Sequence, residues 1–404
     1  MPDNPSVTVL VMVETGSKYE TKETNGLSHF LEHMVFKGTT KRPKASDISR
    51  ELDSIGAHYN AFTGQEYTGY YAKADKRHLT KIVDVVTDMY LNPIFDAAEI
   101  EKEKGVIIEE LRMYNDLPQQ HVHEILAELM FEDQPAGWPV IGTEDTIRSF
   151  GRDHFIQYRA DHYVAEATTV VVAGSFDELE AKATIEKTFA AISASQNKGK
   201  LKVLESQSSP QVKIQFKETD QTHLVIGFRT FPILDPRVPT MKVLAGVLGG
   251  GMSSRLFSKM RDQLGICYYI RTSHNPSTDH GDITISAGVD NSRVEEGMKG
   301  ILEEVERIKN ELVGDEELKK VKDYIAGTSM LELETSDARA EFAGFQEIMK
   351  HIVDSPEELI AKVHAVTAED IQKLAQEVFV NKGMNLALIG KSKEEEVKKY
   401  FRLK

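Results

Sequence analysis

Val7, Val9, Val11 and Val13 alternate with Thr8, Leu10 and Met12, so the stretch reads as a strand with one well-buried face. The period then changes. In NGLSHFLEHMVFKGT, Leu27, Phe30, Leu31, Met34 and Val35 recur at helical spacing and form one apolar stripe. Asn25 is the N-cap of that predicted helix and Gly38 its stop. A second helix is predicted over 46–55, ending at Gly56. HYNAFTGQEYTGYYAKA is rich in aromatic and β-branched residues and predicts a hairpin turning at Thr63-Gly64-Gln65. Helical patterns fill 76–91, 96–115, 118–132 and 152–160, punctuated by Pro93 and Pro118. A buried strand at 167–174 and a helix at 177–192 follow.

The polar run ASQNKGKLKVLESQSSP reads as a linker, after which strands begin again (VKIQFKE, HLVIGFRT, ICYYIRTS, DITISAGVD). Three long helices and a last strand–helix pair complete the chain. The two halves match as divergent copies. The segment from Phe155 aligns with that from Ile371 at an offset of 216 (371 − 155). There Tyr158 meets Leu374, Val170 meets Leu386, Val172 meets Leu388 and Gly174 meets Gly390. The expectation is an α+β protein of two similar domains, 1–195 and 211–404, joined by a linker at 196–210. A length of 404 residues is comfortable for two domains.

A net charge of −15 makes nucleic acid a poor partner. No apolar run is long enough to span a membrane. The N-terminal stretch lacks a basic segment followed by an apolar core, so the expected location is the cytoplasm. The single cysteine, Cys267, rules out an internal disulfide framework and a cysteine-rich metal site; it reads as a small core residue.

The helix at 27–35 turns its apolar stripe inward and leaves His29, Glu32, His33 and Phe36 on the other face. Histidines at i and i+4 stack about 6 Å apart between Cβ atoms, a spacing that suits one tetrahedral Zn²⁺. A carboxylate beside them can take a proton from a metal-bound water. Zinc needs a third ligand, and the helix over 96–115 offers Glu99, Glu101, Glu103, Glu109 and Glu110. Position alone does not choose among them. Glu103 and Glu110 are two turns apart on one face, so that one can bind metal while the other supports it. Glu110 also follows the apolar run Val106-Ile107-Ile108.

H-x-x-E-H is the inverzincin order, the reverse of H-E-x-x-H. The longer string HFLEHMVFKGT resembles the insulinase/pitrilysin family of zinc metallopeptidases, most closely its short, processing-peptidase-like members, over nearly the whole chain. That resemblance implies two α/β-sandwich domains, each a mostly antiparallel sheet packed with helices, forming half of a clamshell. It implies one Zn²⁺ per chain, with Glu32 as general base of an endopeptidase acting on unfolded or extended peptides. Aligning EKEKGVIIEEL residue by residue places the third ligand at Glu110, at a sequence separation of 77 from His33 (110 − 33 = 77), and the supporting acid at Glu103, with Glu109 as runner-up. His58-Tyr59-Asn60-Ala61-Phe62-Thr63 resembles the family's substrate-binding edge strand, so Asn60, Ala61 and Phe62 are expected to contact peptide and His58 to be structural. GGGMSSRLFSKMRDQLGICYYI resembles the family's Arg/Tyr motif, implying that Arg261 and Tyr268 stabilise the oxyanion from the other half of the clamshell. Gly249-Gly250-Gly251 lacks the Lys-Ser/Thr of a phosphate loop. A chain that is half of a clamshell implies a homodimer, or a heterodimer with a related subunit. The alternative function is a catalytically inactive structural or peptide-binding subunit. Members of that family usually carry a further strand before the one at 7–13, so the expectation is either that the sequence is trimmed or that the first sheet is one strand short, leaving an edge to be covered.

Overall fold

The alternating valine stretch forms β1 (Ser6–Val13), which pairs antiparallel on both sides. Its neighbours are β3 (Thr68–Asp75) and β4 (Thr168–Gly174), and β2 (His58–Thr63) pairs outside β3, giving the order β2-β3-β1-β4. The structure is a computed structural model that describes residues 1 and 4–404. Its chain divides into two units. Met1–Met113, Trp138–Leu201 and Leu331–Val353 form the first; Tyr114–Gly137, Lys202–Met330 and Asp354–Lys404 form the second. The units are therefore not simply the first and second halves of the chain.

In the first unit, Val9 lies opposite Ala72 and Val172, while Leu10 lies opposite Tyr71 and Val171. Helices α1 (Leu27–Val35), α2 (Ala45–Asp53), α3 (Leu79–Leu91) and most of α4 (Ala97–Asn115) belong to this unit. On the valine face, Tyr70 of β3 meets Tyr90 of α3 edge-on. Alternation alone predicts one well-buried face, yet on the other face Thr8, Leu10 and Met12 are each at most 1% exposed. The helix Ser336–Lys350, arriving from much later in the chain, covers them: Leu10 and Met12 join Ala340 and Ile348 in one core, and Thr8 Oγ1 hydrogen-bonds Ser336 Oγ at 2.8 Å. Gly344 permits the approach, because a Cβ there would stand 2.5 Å from Met12 Sδ.

Phe345 of this helix stacks on Phe62 (ring centroids 5.7 Å) and meets Tyr67 edge-on (4.6 Å), so it grips the β2–β3 hairpin. Phe345→Ala is expected to destabilise the protein by about 2 kcal/mol, less than a fully buried Phe because the ring is partly exposed. The reading is a lower denaturant midpoint at unchanged slope. An unshifted midpoint would show that the helix does not hold this face.

The second unit contains α5 (Pro118–Phe131) and the strands β5 (Gln211–Phe216), β6 (Gln221–Thr230), β7 (Cys267–Pro276), β8 (Gly281–Asp290) and β9 (Met384–Gly390). Their order is β5-β9-β6-β8-β7, antiparallel except for β5 with β9. Leu224, Ile226 and Phe228 of β6 face a core shared with the helices Val238–Gly249, Val294–Asn310 and Ala368–Val378. The alternate residues Val225, Ala387 and Ile389 pack on Val122, Leu126 and Met130 of α5. Each sequence half thus lends one helix to the other half's sheet.

The internal repeat survives in detail. The helices Arg152–His162 and Ala368–Val378, the short turns Ala165–Ala167 and Asn381–Gly383, and strands β4 and β9 all begin and end at the same offset of 216 (368 − 152, 381 − 165, 384 − 168). Among the described residues the four-stranded sheet has no counterpart of β5, and β4 is its edge. The polar stretch near 200 is tied down on both sides. In the first unit Asn197 N donates to Glu166 Oε1 (2.6 Å) and Lys200 pairs with Glu66 (2.8 Å). In the second, Val203 N donates to Asp279 Oδ2 (2.9 Å) and Leu204 N to Gln134 Oε1 (2.7 Å). Among the described residues no helix is long and apolar enough to cross a membrane.

Candidate metal centre

Helix α1 buries Leu27, Phe30, Leu31, Met34 and Val35, so its remaining face must present His29, Glu32 and His33. Its start differs from the expected Asn25 cap. Gly26 sits at the cap with φ +97°, a left-handed conformation that suits glycine, and offers no side chain. The buried Glu20 carboxylate caps the helix instead, accepting from Gly26 N (2.8 Å), Ser28 N (2.6 Å) and Asn25 Nδ2 (3.2 Å). An anion there satisfies orphan donors and complements the helix dipole.

Helix α4 brings the glutamates. Glu110 Oε2 lies 3.4 Å from His33 Nε2 and 3.8 Å from His29 Nε2, and ligand atoms of the three residues lie within 4.8 Å of one another. Ligands about 2.1 Å from a tetrahedral zinc are separated by about 3.4 Å, a spacing the Glu110–His33 pair matches and the other donors, all within 4.8 Å, approach. His29 Nδ1 is buried without a hydrogen-bond partner, which leaves the cluster as that ring's polar company. Glu103, 2% exposed, accepts from His33 Nδ1 at 2.9 Å, and Lys37 Nζ lies 2.6 Å from its other oxygen. A carboxylate behind a metal-facing imidazole fixes the ring and its tautomer. Glu109 points elsewhere: it is exposed and pairs with Arg112 at 2.6 Å. Glu99 and Glu101 pair instead with Lys102 and Lys104 of the same helix.

The electrostatics follow from burial and these contacts. Burial disfavours charge on both imidazoles. For His29 burial and the neighbouring His33 together push the pKa down to about 4. For His33, burial is outweighed by Glu103 and Glu110, which push it up to about 9. Burial raises the Glu32 carboxyl above its ordinary range, against the pull of Thr63 and His33. Thr63 Oγ1 donates to Glu32 Oε2 at 2.5 Å.

Among the described residues β2 pairs only with β3, so its outer edge faces no other strand. Ala61 is buried on the face that carries Thr63; Asn60 is exposed on the opposite face, where Phe62 packs against Phe345. His58 is exposed and stands apart from the metal cluster. In the second unit Arg261 and Tyr268 meet: Arg261 Nη1 donates to Tyr268 O at 2.7 Å, and the guanidinium lies 5.0 Å from the Tyr268 ring centroid. An irregularity in β7 between Cys267 and Tyr269 accompanies the exposure of the Tyr268 side chain, 69% accessible. Thr63, Lys37 and Glu20 escape a reading from sequence alone. Thr63 reads there as a turn residue, although its parity with Ala61 along β2 is the signal that turns it toward α1.

Residues 1–144 match the family model described as Insulinase (Peptidase family M16), and residues 149–325 match the one described as Peptidase M16 inactive domain. The chain belongs to the insulinase family, peptidase family M16. It is 36% identical over 396 residues to the uncharacterized zinc protease YmxG of Bacillus subtilis (strain 168), covering 97% of this chain and 95% of that protein. An uncharacterized zinc protease of Rickettsia bellii (strain RML369-C) is 33% identical over 396 residues, covering 96% and 93%. The crystal structure of a protease from Helicobacter pylori has the same fold, with a TM-score of 0.90 at 20% identity over 96% of this chain and 94% of that one.

Proposed function

We propose that the protein is a zinc-dependent endopeptidase that hydrolyses unfolded or extended peptides. The observation that carries this is the convergence of His29, His33 and Glu110 beside the Glu32 carboxylate. Those three residues would hold one Zn²⁺ per chain, which would supply Lewis acidity and make the attacking water more acidic. Glu32 takes the proton of the attacking water and passes it to the leaving amine. Glu103 keeps His33 in its orientation. An extended peptide adds to the outer edge of β2 by backbone pairing, with Asn60, Ala61 and Phe62 setting its course. Arg261 and Tyr268 hydrogen-bond the developing oxyanion. In this reading they serve the metal centre of a second chain, in a homodimer or in a heterodimer with a related subunit, and the enzyme works in the cytoplasm.

A silent scaffold of the same fold would lack a ligand or the base. Here all four groups are present, and the segment described as inactive, residues 149–325, contains none of them. Metal analysis, light scattering and cleavage of a casein-like unfolded polypeptide on one sample test the proposal. The expected result is one zinc per chain, the mass of a dimer, and cleavage that disappears on chelation and returns with zinc. Cleavage indifferent to chelation overturns the zinc dependence, and none with zinc bound overturns the peptidase; the mass of a single chain overturns the shared site.

A further inference from the structure

One side chain joins the edge strand β2 to the base. Thr63 is the last residue of β2, and its hydroxyl donates the 2.5 Å hydrogen bond to Glu32. Threonine is β-branched and stiff at χ1, so the direction of that hydroxyl is set by the backbone that carries it.

That backbone is held from several sides. Ser17 N donates to Gly64 O (3.3 Å) and Lys18 N to Gln65 O (2.9 Å), pinning the tip of the β2–β3 hairpin. Gly16 permits this contact, since a Cβ there would lie 2.2 Å from Gly64 O. At the next residue, Glu66 Oε1 receives the ammonium groups of Lys18 and Lys200, each at 2.8 Å, and the Lys18 side chain is fully buried. Burial disfavours the Glu66 charge, but the two lysines overcome it and hold the carboxyl down at about 2. On the far face Phe345 packs against Phe62 and Tyr67. The hairpin is thus over-determined, whereas Glu32 is a two-torsion side chain beyond its Cβ with one hydroxyl donor at its head. Of the two partners, the carboxylate follows the hydroxyl.

We propose that Thr63 is a positioning residue for peptide hydrolysis: its hydroxyl holds the Glu32 carboxylate, and its place on β2 sets that carboxylate in register with a peptide added along the strand. The role rests on the endopeptidase reading above. It makes the strand that orders the substrate also the element that orders the proton acceptor.

The test compares wild type, Thr63→Val, Thr63→Ser, Glu32→Gln and the Thr63→Val/Glu32→Gln pair, reading kcat and KM on an unfolded polypeptide together with zinc content. Thr63→Val keeps shape and removes the donor. It is expected to lower kcat about 10- to 100-fold, the cost of a misplaced catalytic group, with KM and zinc content unchanged. Thr63→Ser is expected to restore most of the rate, and Thr63→Val is expected to add no loss in the Glu32→Gln background. An undiminished kcat in Thr63→Val, a loss seen in KM or zinc content instead, failure of Ser to rescue, or additive losses in the double variant would each overturn the role while leaving the peptidase intact. Wild type that binds zinc and cleaves nothing removes both.

Discussion

Glu32→Gln is expected to lower kcat for peptide cleavage by about 10²- to 10⁴-fold while zinc content stays at the wild-type level, because proton transfer is what the carboxylate supplies. The substitution is nearly isosteric, and the amide oxygen can still accept from Thr63 Oγ1, so the local structure survives. Glu32 is not one of the three converging metal donors, so the affinity for zinc is left to His29, His33 and Glu110. What the amide cannot do is accept a proton. The wild-type carboxyl is pushed up by burial, which brings its basicity nearer to working pH. The sign is fixed: below its raised pKa the base is protonated and the rate falls with pH, so wild-type kcat/KM loses activity on the acid side. Gln does not titrate, and the residual rate of the variant lacks that limb. Cleavage of an unfolded polypeptide across a pH series, with zinc measured on each sample, decides the matter. A variant as fast as wild type would leave Glu32 without a chemical role.

How much of this could be read before the fold was known depends on how local the cause is. The helical period at 27–35 and the two-residue period at 7–13 are short-range patterns, and both elements form where the periods stand. The repeat at offset 216 was legible because Gly174 and Gly390 end their strands at the same place. The second buried face of β1 was not. Thr8, Leu10 and Met12 look like a mixed outer face until a helix from beyond residue 330 lies on them, and no local period reports a partner that distant. The cap of α1 escaped for a like reason, since Glu20 acts from outside the helix across a turn.

Among the glutamates of α4, composition could not separate Glu109 from Glu110, since neighbours on a helix differ only by about 100° of rotation. The fold separates them: one faces two imidazoles and the other pairs with Arg112. The matched motif therefore carried information that periodicity did not. The apolar residues say which way α1 faces, but they are silent on which acid from another helix arrives opposite it. Thr63 lies at the same limit. Its neighbours on β2 are readable as an edge strand, yet its bond to Glu32 exists only because the hairpin tip is pinned against residues 16–18.

Glu110→Gln is expected to weaken zinc binding by more than the roughly 10- to 100-fold typical of losing an outer-shell partner, because a ligand itself is removed. Cleavage should fall with zinc occupancy. The pH dependence of binding gives a second reading. In the metal-free protein Glu103 and Glu110 overcome burial and raise His33 to about 9, so near pH 7 that imidazole carries a proton which an incoming zinc ion must displace. Apparent affinity for zinc therefore rises about tenfold per pH unit as pH climbs, and levels off once pH passes the His33 pKa. Gln at position 110 withdraws one of the two carboxylates holding that proton, while Glu103, at 2.9 Å, remains. The levelling-off then begins at lower pH than in wild type, although the plateau itself is lower. Zinc titrations against a competing chelator between pH 6 and 9 separate these effects. Affinity that ignores pH would mean zinc displaces no proton from His33, and affinity unchanged by Glu110→Gln would remove the third ligand from the site.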